Sequence, residues 1–148
     1  MKFRLQRVLD LRYSQEELAK KELSHRERNY QAATREVNLL LEDEGRLWDL
    51  IREQQLERGR LSQWQQFSDF NAALLERLQK KKERRRDCRE QLEEQRAEVK
   101  ACWQKRRILE ILQGKAMEKY RETVEKREQQ LLDELVLLGF SRKGVKNR

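Results

Sequence analysis

Few residues in this chain could do chemistry. His25 is the single histidine, with Glu22 and Glu27 beside it and no cysteine nearby. A metal ion or a general base needs convergent partners, so His25 reads as a solvated residue on a helix surface. Cys88 and Cys102 are the two cysteines. The cationic setting Arg86-Asp87-Cys88-Arg89 could lower a thiol pKa, yet the spacing of Cys88 to Leu92 and Val99 sets it beside an apolar stripe. On one helix the two sulfurs would stand roughly 21 Å apart, too far to bridge. Two buried, reduced thiols in a reducing compartment are expected. Gly114-Lys115 is no phosphate loop, because Leu109 stands where the first glycine of G-x-x-x-x-G-K belongs. No catalytic, cofactor-binding or metal-binding residue is expected, and no enzyme.

The densest charge is Lys80-Lys81-Lys82-Glu83-Arg84-Arg85-Arg86, followed by Leu92 and Val99. A basic-region zipper would continue that heptad, but Arg106 and Gln113 occupy its next two positions, and the basic stretch carries no asparagine or small-residue pattern for the major groove. A solvated helix face meeting an acidic protein surface is preferred, and nucleic acid is not expected as a partner. The aromatics are more telling. Trp48, Trp64, Phe67 and Phe70, with Leu74 and Leu75, concentrate more apolar area than two helices can cover. They either close a small core under a turn or form a recognition patch, and both hold if only some rings are buried.

The elements that position these groups are long helices. Of 148 residues, 42% are charged and 36% hydrophobic, with no proline and five glycines. An ordinary domain carries roughly 25% charged residues and more turn formers, and three Trp, three Tyr and four Phe argue against disorder. From Phe3 to about Gln55 apolar residues recur at steps of three and four. One run is Tyr30, Thr34, Val37, Leu41, Glu44, Trp48, Ile51, with Leu5, Leu9, Ala19 and Leu23 upstream, and Glu16, Arg26 and Glu44 as polar interruptions that suit a specific partner helix. Glu57-Arg58-Gly59-Arg60 breaks the period. Helix resumes with Leu74, Leu78, Leu92, Val99, Leu109, Ala116 and Tyr120 on one face, and is expected to stop at a Gly139 cap onto which Phe140 packs. The predicted fold is all-α, two long helices in an antiparallel coiled-coil hairpin. Its expected parts are an N-terminal helix over 1–57, a turn with a short aromatic-rich helix over 58–71, a C-terminal helix over 72–139 and a flexible basic tail over 140–148. Such a hairpin would be a rod of roughly 80 to 100 Å.

Charge is uneven: net +1 over residues 1–60 and +7 over 61–148. An acidic partner is implied, whether protein, lipid or nucleic acid. No apolar run follows Met1 and none approaches the roughly 20 residues that span a bilayer, so a soluble, unsecreted protein is expected.

The opening Phe3-Arg4-Leu5-Gln6-Arg7-Val8-Leu9-Asp10-Leu11-Arg12, the glycine break with aromatics over 59–70 and the closing Glu128-Gln129-Gln130-Leu131-Leu132-Asp133-Glu134-Leu135 resemble the FliJ family of bacterial flagellar export proteins, over the full length. The resemblance implies a two-helix coiled coil similar to the central stalk of rotary ATPases. It implies a hexameric flagellar export ATPase as partner, entered by the paired helix ends, and a membrane export gate whose cytoplasmic domain meets the bend. Export chaperones are further partners, and the place is cytoplasmic, peripheral at the inner face of the cell membrane, in type III secretion, motility and chemotaxis. By position along the family pattern, Leu41, Trp48, Phe70 and Leu74 would face the gate, with Phe67 added for the surplus apolar area. Glu44 and Arg77 depart from the family's apolar or small middle region. Charge and location suggest Arg4, Arg7, Arg12, Lys126, Arg127 and Arg142 for the ATPase pore. The alternatives are a rotary-stalk subunit proper, disfavoured because the chain has no room for an inserted α/β domain, and a basic coiled-coil scaffold or nucleic-acid binder.

Overall fold

The computed structural model describes residues 2–56 and 61–146. Two helices account for nearly all of it: α1, Gln6–Leu56, and α2, Leu61–Lys146, with no strand among the described residues. They run antiparallel and pack on each other as a helical hairpin. The expected break at Glu57–Arg60 lies outside the described residues.

Burial in α1 follows one strict heptad. Leu9, Glu16, Ala19, Ala33, Val37, Leu40, Leu47 and Ile51 are buried, and Arg12, Leu23, Arg26, Tyr30 and Glu44 fill the intervening seam positions half-buried. Alternating steps of three and four keep this line on one face of an underwound helix. In α2 the matching seam runs Phe67, Asn71, Leu74, Leu78, Lys81, Arg85, Cys88, Leu92, Gln95, Val99, Cys102, Arg106, each buried or half-buried. The polar interruptions expected from sequence do lie on the seam. The sequence reading differs at several positions: Ala33, Leu40 and Leu47 hold the core, while Thr34 is half-buried beside it and Leu5, Leu41 and Trp48 are exposed. Val37, Glu44 and Ile51 belong to both readings. Adjacent apolar pairs at 40–41 and 47–48 make the sequence pattern degenerate, and packing against α2 resolves it.

The helices build two compact units, Glu16–Cys102 and Met1–Gln15 with Trp103–Arg148. In the first, Val37, Leu40, Leu47, Ile51, Leu74 and Leu78 form the core, with Phe67 packed against it. Lys81 Nζ donates to Glu36 Oε2 at 2.9 Å, Arg26 to Gln91 Oε1 at 2.6 Å, and Gln95 to the Ala19 carbonyl at 3.0 Å. In the second, Gln113 donates to Gln6 Oε1 at 2.9 Å and the Tyr13 hydroxyl to Glu110. Partners on α2 fall in number as those on α1 rise, which is the antiparallel register.

Two boundaries differ from expectation. The aromatic stretch over 63–70 is the opening of α2, not a separate short helix, and α2 continues through Gly139 to Lys146. A glycine cap is fixed by an apolar residue folding back on the last turn, and Phe140 has nothing to fold onto: it is 72% exposed. Without that contact, continued helix wins despite about 1 kcal/mol of glycine penalty at Gly139 and again at Gly144. Neither Cys88 nor Cys102 is in a disulfide; Cys102 is buried in the seam as expected, whereas Cys88, expected buried, is half-buried there.

Candidate partner-binding surfaces

In the unit Glu16–Cys102 the aromatics divide. Phe67 turns onto the core, whereas Trp48, Trp64 and Phe70 are exposed. Leu47, Leu50, Gln63, Gln66, Phe67 and Phe70 line an apolar cleft of about 440 Å³. Phe67 stands one heptad before Leu74 on the seam and Phe70 falls beside it, whereas Trp64, one heptad before Asn71 on the same line, is exposed. Of the five gate candidates, the cleft unites Phe67 and Phe70. Leu41 and Trp48, one heptad apart on α1, are exposed outside its lining. Leu74, expected to face the gate, is instead 5% exposed in the core against α1, while its neighbour Leu75 faces solvent.

In the unit that holds both chain ends, Lys2, Phe3, Arg4, Gln6 and Arg7 face Gln113, Met117, Tyr120, Arg121, Val124 and Glu125 across a cleft of about 840 Å³. Its floor is apolar and four cations rim it. Two pore candidates, Arg4 and Arg7, meet here. Arg12 is half-buried on the seam and reaches Gln15 at 3.1 Å, and Lys126, Arg127 and Arg142 are exposed farther along α2. Sequence reasoning missed Lys2, Met117, Arg121 and Val124 as parts of this surface. Only the cross-helix register brings residue 3 beside residue 120.

Past the cleft α2 has no cover. Every residue from Lys126 to Gly144 is exposed, Leu131, Leu132, Leu135, Val136, Leu137, Leu138 and Phe140 among them. At about 100° per residue these seven lie nearly all round the helix, and Leu131, Leu135 and Leu138 share one face without a partner helix.

The chain matches the family of flagellar FliJ proteins over residues 1–145. It belongs to the FliJ family. No curated protein and no solved structure matches it. As a FliJ-family chain it is a flagellar protein-export component, from a family of export parts and not of enzymes. No helix among the described residues is long and apolar enough to cross a membrane.

Electrostatics around the FliJ-family seam are local. Below Tyr13 and Glu110, Arg106 lies 5.1 Å from the centre of the Tyr13 ring and 2.5 Å from Glu110, which Arg107 also pairs at 3.2 Å. The hydrogen bond from Tyr13, with those from Arg106 and Arg107, holds the Glu110 pKa below its ordinary 4.5. The same bond, with partial desolvation, raises Tyr13 above 10.0. Lys81 lowers Glu36 below 4.5 through its hydrogen bond and its charge. A carboxyl lowered by folding contributes stability above its unfolded pKa and loses it as pH falls through the folded value. A phenol raised by folding contributes below its unfolded pKa and loses it as pH rises through the folded one. These three groups therefore give their full contribution between pH 4.5 and 10.0. Thermal midpoints across pH are expected to fall below that window less steeply in Glu36→Gln and Glu110→Gln than in the parent, and above it less steeply in Tyr13→Phe.

Proposed function

We propose that this FliJ-family chain is a central-stalk-like coupling protein of flagellar export. The end that carries both chain termini inserts in the hexameric export ATPase, and the aromatic end docks on the cytoplasmic domain of the membrane export gate. The observation that carries this reading is the uncovered stretch of α2 from Lys126 to Gly144. A single exposed helix is slender enough for a pore, and its leucines give a pore lining something to hold. Arg4, Arg7, Arg12, Lys126, Arg127 and Arg142 supply loose, sliding contacts to an acidic or carbonyl-lined wall, which permit rotation. Phe67 and Phe70 at the cleft, with the exposed Leu41 and Trp48 on α1, are the gate-docking residues, and Leu74 in the core holds Phe67 in place; aromatic anchors are the usual carriers of binding energy. Export chaperones are further partners, and the working place is the cytoplasm, at the inner face of the cell membrane.

Co-sedimentation at about 150 mM salt, where exposed charges more than roughly 8 Å apart are screened, separates this from a nucleic-acid scaffold. The chain is expected to sediment with a flagellar export ATPase and not with duplex DNA or RNA. Binding to nucleic acid that weakens steeply with salt and is lost on neutralising Lys80 to Arg86 would replace the stalk with a nucleic-acid-binding coiled coil.

A further inference from the structure

The uncovered part of α2 has an internal symmetry. Met117, Tyr120, Val124, Arg127, Glu128, Leu131, Leu135 and Leu138 follow one another at steps of three, four, three, one, three, four and three, the same from either end. At 100° per residue all eight lie within about 100° of arc, on one face of the helix. That face continues the one carrying Arg106 and Gln113 toward α1. All eight are exposed except half-buried Val124.

We propose that this face is a self-complementary interface, through which two copies of the chain pair by their α2 helices, antiparallel, about a two-fold axis between Arg127 and Glu128. Antiparallel pairing about that point sets Met117 against Leu138 of the other copy, Tyr120 against Leu135 and Val124 against Leu131. Each apolar position meets an apolar one, and the central layers pair Arg127 of each copy with Glu128 of the other. The contact is isologous and closes on itself, so it yields a dimer and not a filament. It spans about 33 Å, three heptads of knobs-into-holes packing.

Charge points to the same occupant. The cleft beside this face is lined by the cations Lys2, Arg4, Arg7 and Arg121 and one anion, Glu125. The segment that would enter it from the second copy, residues 129–141, carries no cation, and of its two anions Glu134 stands at the edge of the pairing face and Asp133 on the far side. Leu135 and Leu138 of that segment reach Tyr120 and Met117 on the cleft floor. Pairing thus covers in one step the open cleft and Leu131, Leu135 and Leu138 of both copies. The dimer uses the surface assigned above to the ATPase, so it is the form of the unengaged chain, and its test needs no ATPase.

Sedimentation equilibrium of the full chain, over roughly micromolar to 100 µM, is expected to give twice the 18.2 kDa of one chain. Leu131→Glu is expected to raise the dimer dissociation constant on the order of 100-fold or more, since two leucines leave the interface centre. Its helicity by circular dichroism should stay at the parent level, because Leu131 is exposed within the single chain. Arg127→Glu should weaken the dimer, and Arg127→Glu with Glu128→Arg should restore it, because only then do opposite charges meet again at the axis. A parent that stays monomeric throughout overturns the proposal. So does a dimer indifferent to Leu131→Glu, or a double reversal no tighter than the single one.

Discussion

Leu40→Ala and Leu74→Ala are each expected to lower stability by about 2 to 5 kcal/mol, the cost of emptying a leucine site in a packed core. Both residues belong to the cluster that joins α1 to α2 near the connection, at 7% and 5% exposure. The thermal midpoint should drop by roughly 10 °C. The neighbours Leu41 and Leu75 are exposed, and their change to alanine should cost less than about 1 kcal/mol. The paired comparison tests the register directly, since a shift of one residue exchanges the two outcomes. Denaturation followed by circular dichroism reads it. The double variant Leu40→Ala with Leu74→Ala should depart from the sum of the single effects, because both sites share one cluster. Equal losses at positions 40 and 41 would contradict the observed seam.

The second large effect belongs to binding. Trp48→Ala together with Phe70→Ala is expected to weaken association with the cytoplasmic domain of the export gate by about 100-fold or more, the loss expected when two aromatic anchors are truncated. Helicity should stay at the parent level and the thermal midpoint should move little, because both rings already face solvent. Phe67 gives the contrast: packed on the core, its removal should cost stability as well as binding. Titration calorimetry with the gate domain and thermal melts of the same samples make the measurement. A collapsed midpoint in the Trp48, Phe70 variant would make those rings core, and unchanged affinity would move the docking surface elsewhere.

Much of this fold was legible in the sequence, and the parts that were not share a cause. Heptad spacing, absent prolines and charged flanks disclose two long helices, and the polar seam residues Glu16, Arg26 and Glu44 were visible as such. Leu40 and Leu41 could not be ranked, because each completes a three-four pattern with Val37, and only the partner helix chooses. Gly139 carried a cap signal that depends on a tertiary contact for Phe140, and that contact is absent. Among the aromatics, sequence raised two roles without assigning them; the heptad places Phe67 inward and Trp48 and Phe70 outside, while Trp64 continues the seam line and is nonetheless exposed. The cleft between Lys2–Arg7 and Gln113–Glu125 joins segments more than a hundred residues apart, so composition and local spacing carry no trace of it. Family membership over residues 1–145 agrees with the resemblance carried by the two chain ends.

A stalk in the pore of an ATPase ring should change the hydrolysis rate of the cognate flagellar export ATPase as this chain is titrated in. Stimulation that saturates near one chain per six ATPase subunits, and that is lost when Leu131, Leu135 and Leu138 are changed to glutamate, is the expected result. An unchanged rate with no co-sedimentation at any ratio would contradict it, and would return this hairpin to the scaffolds.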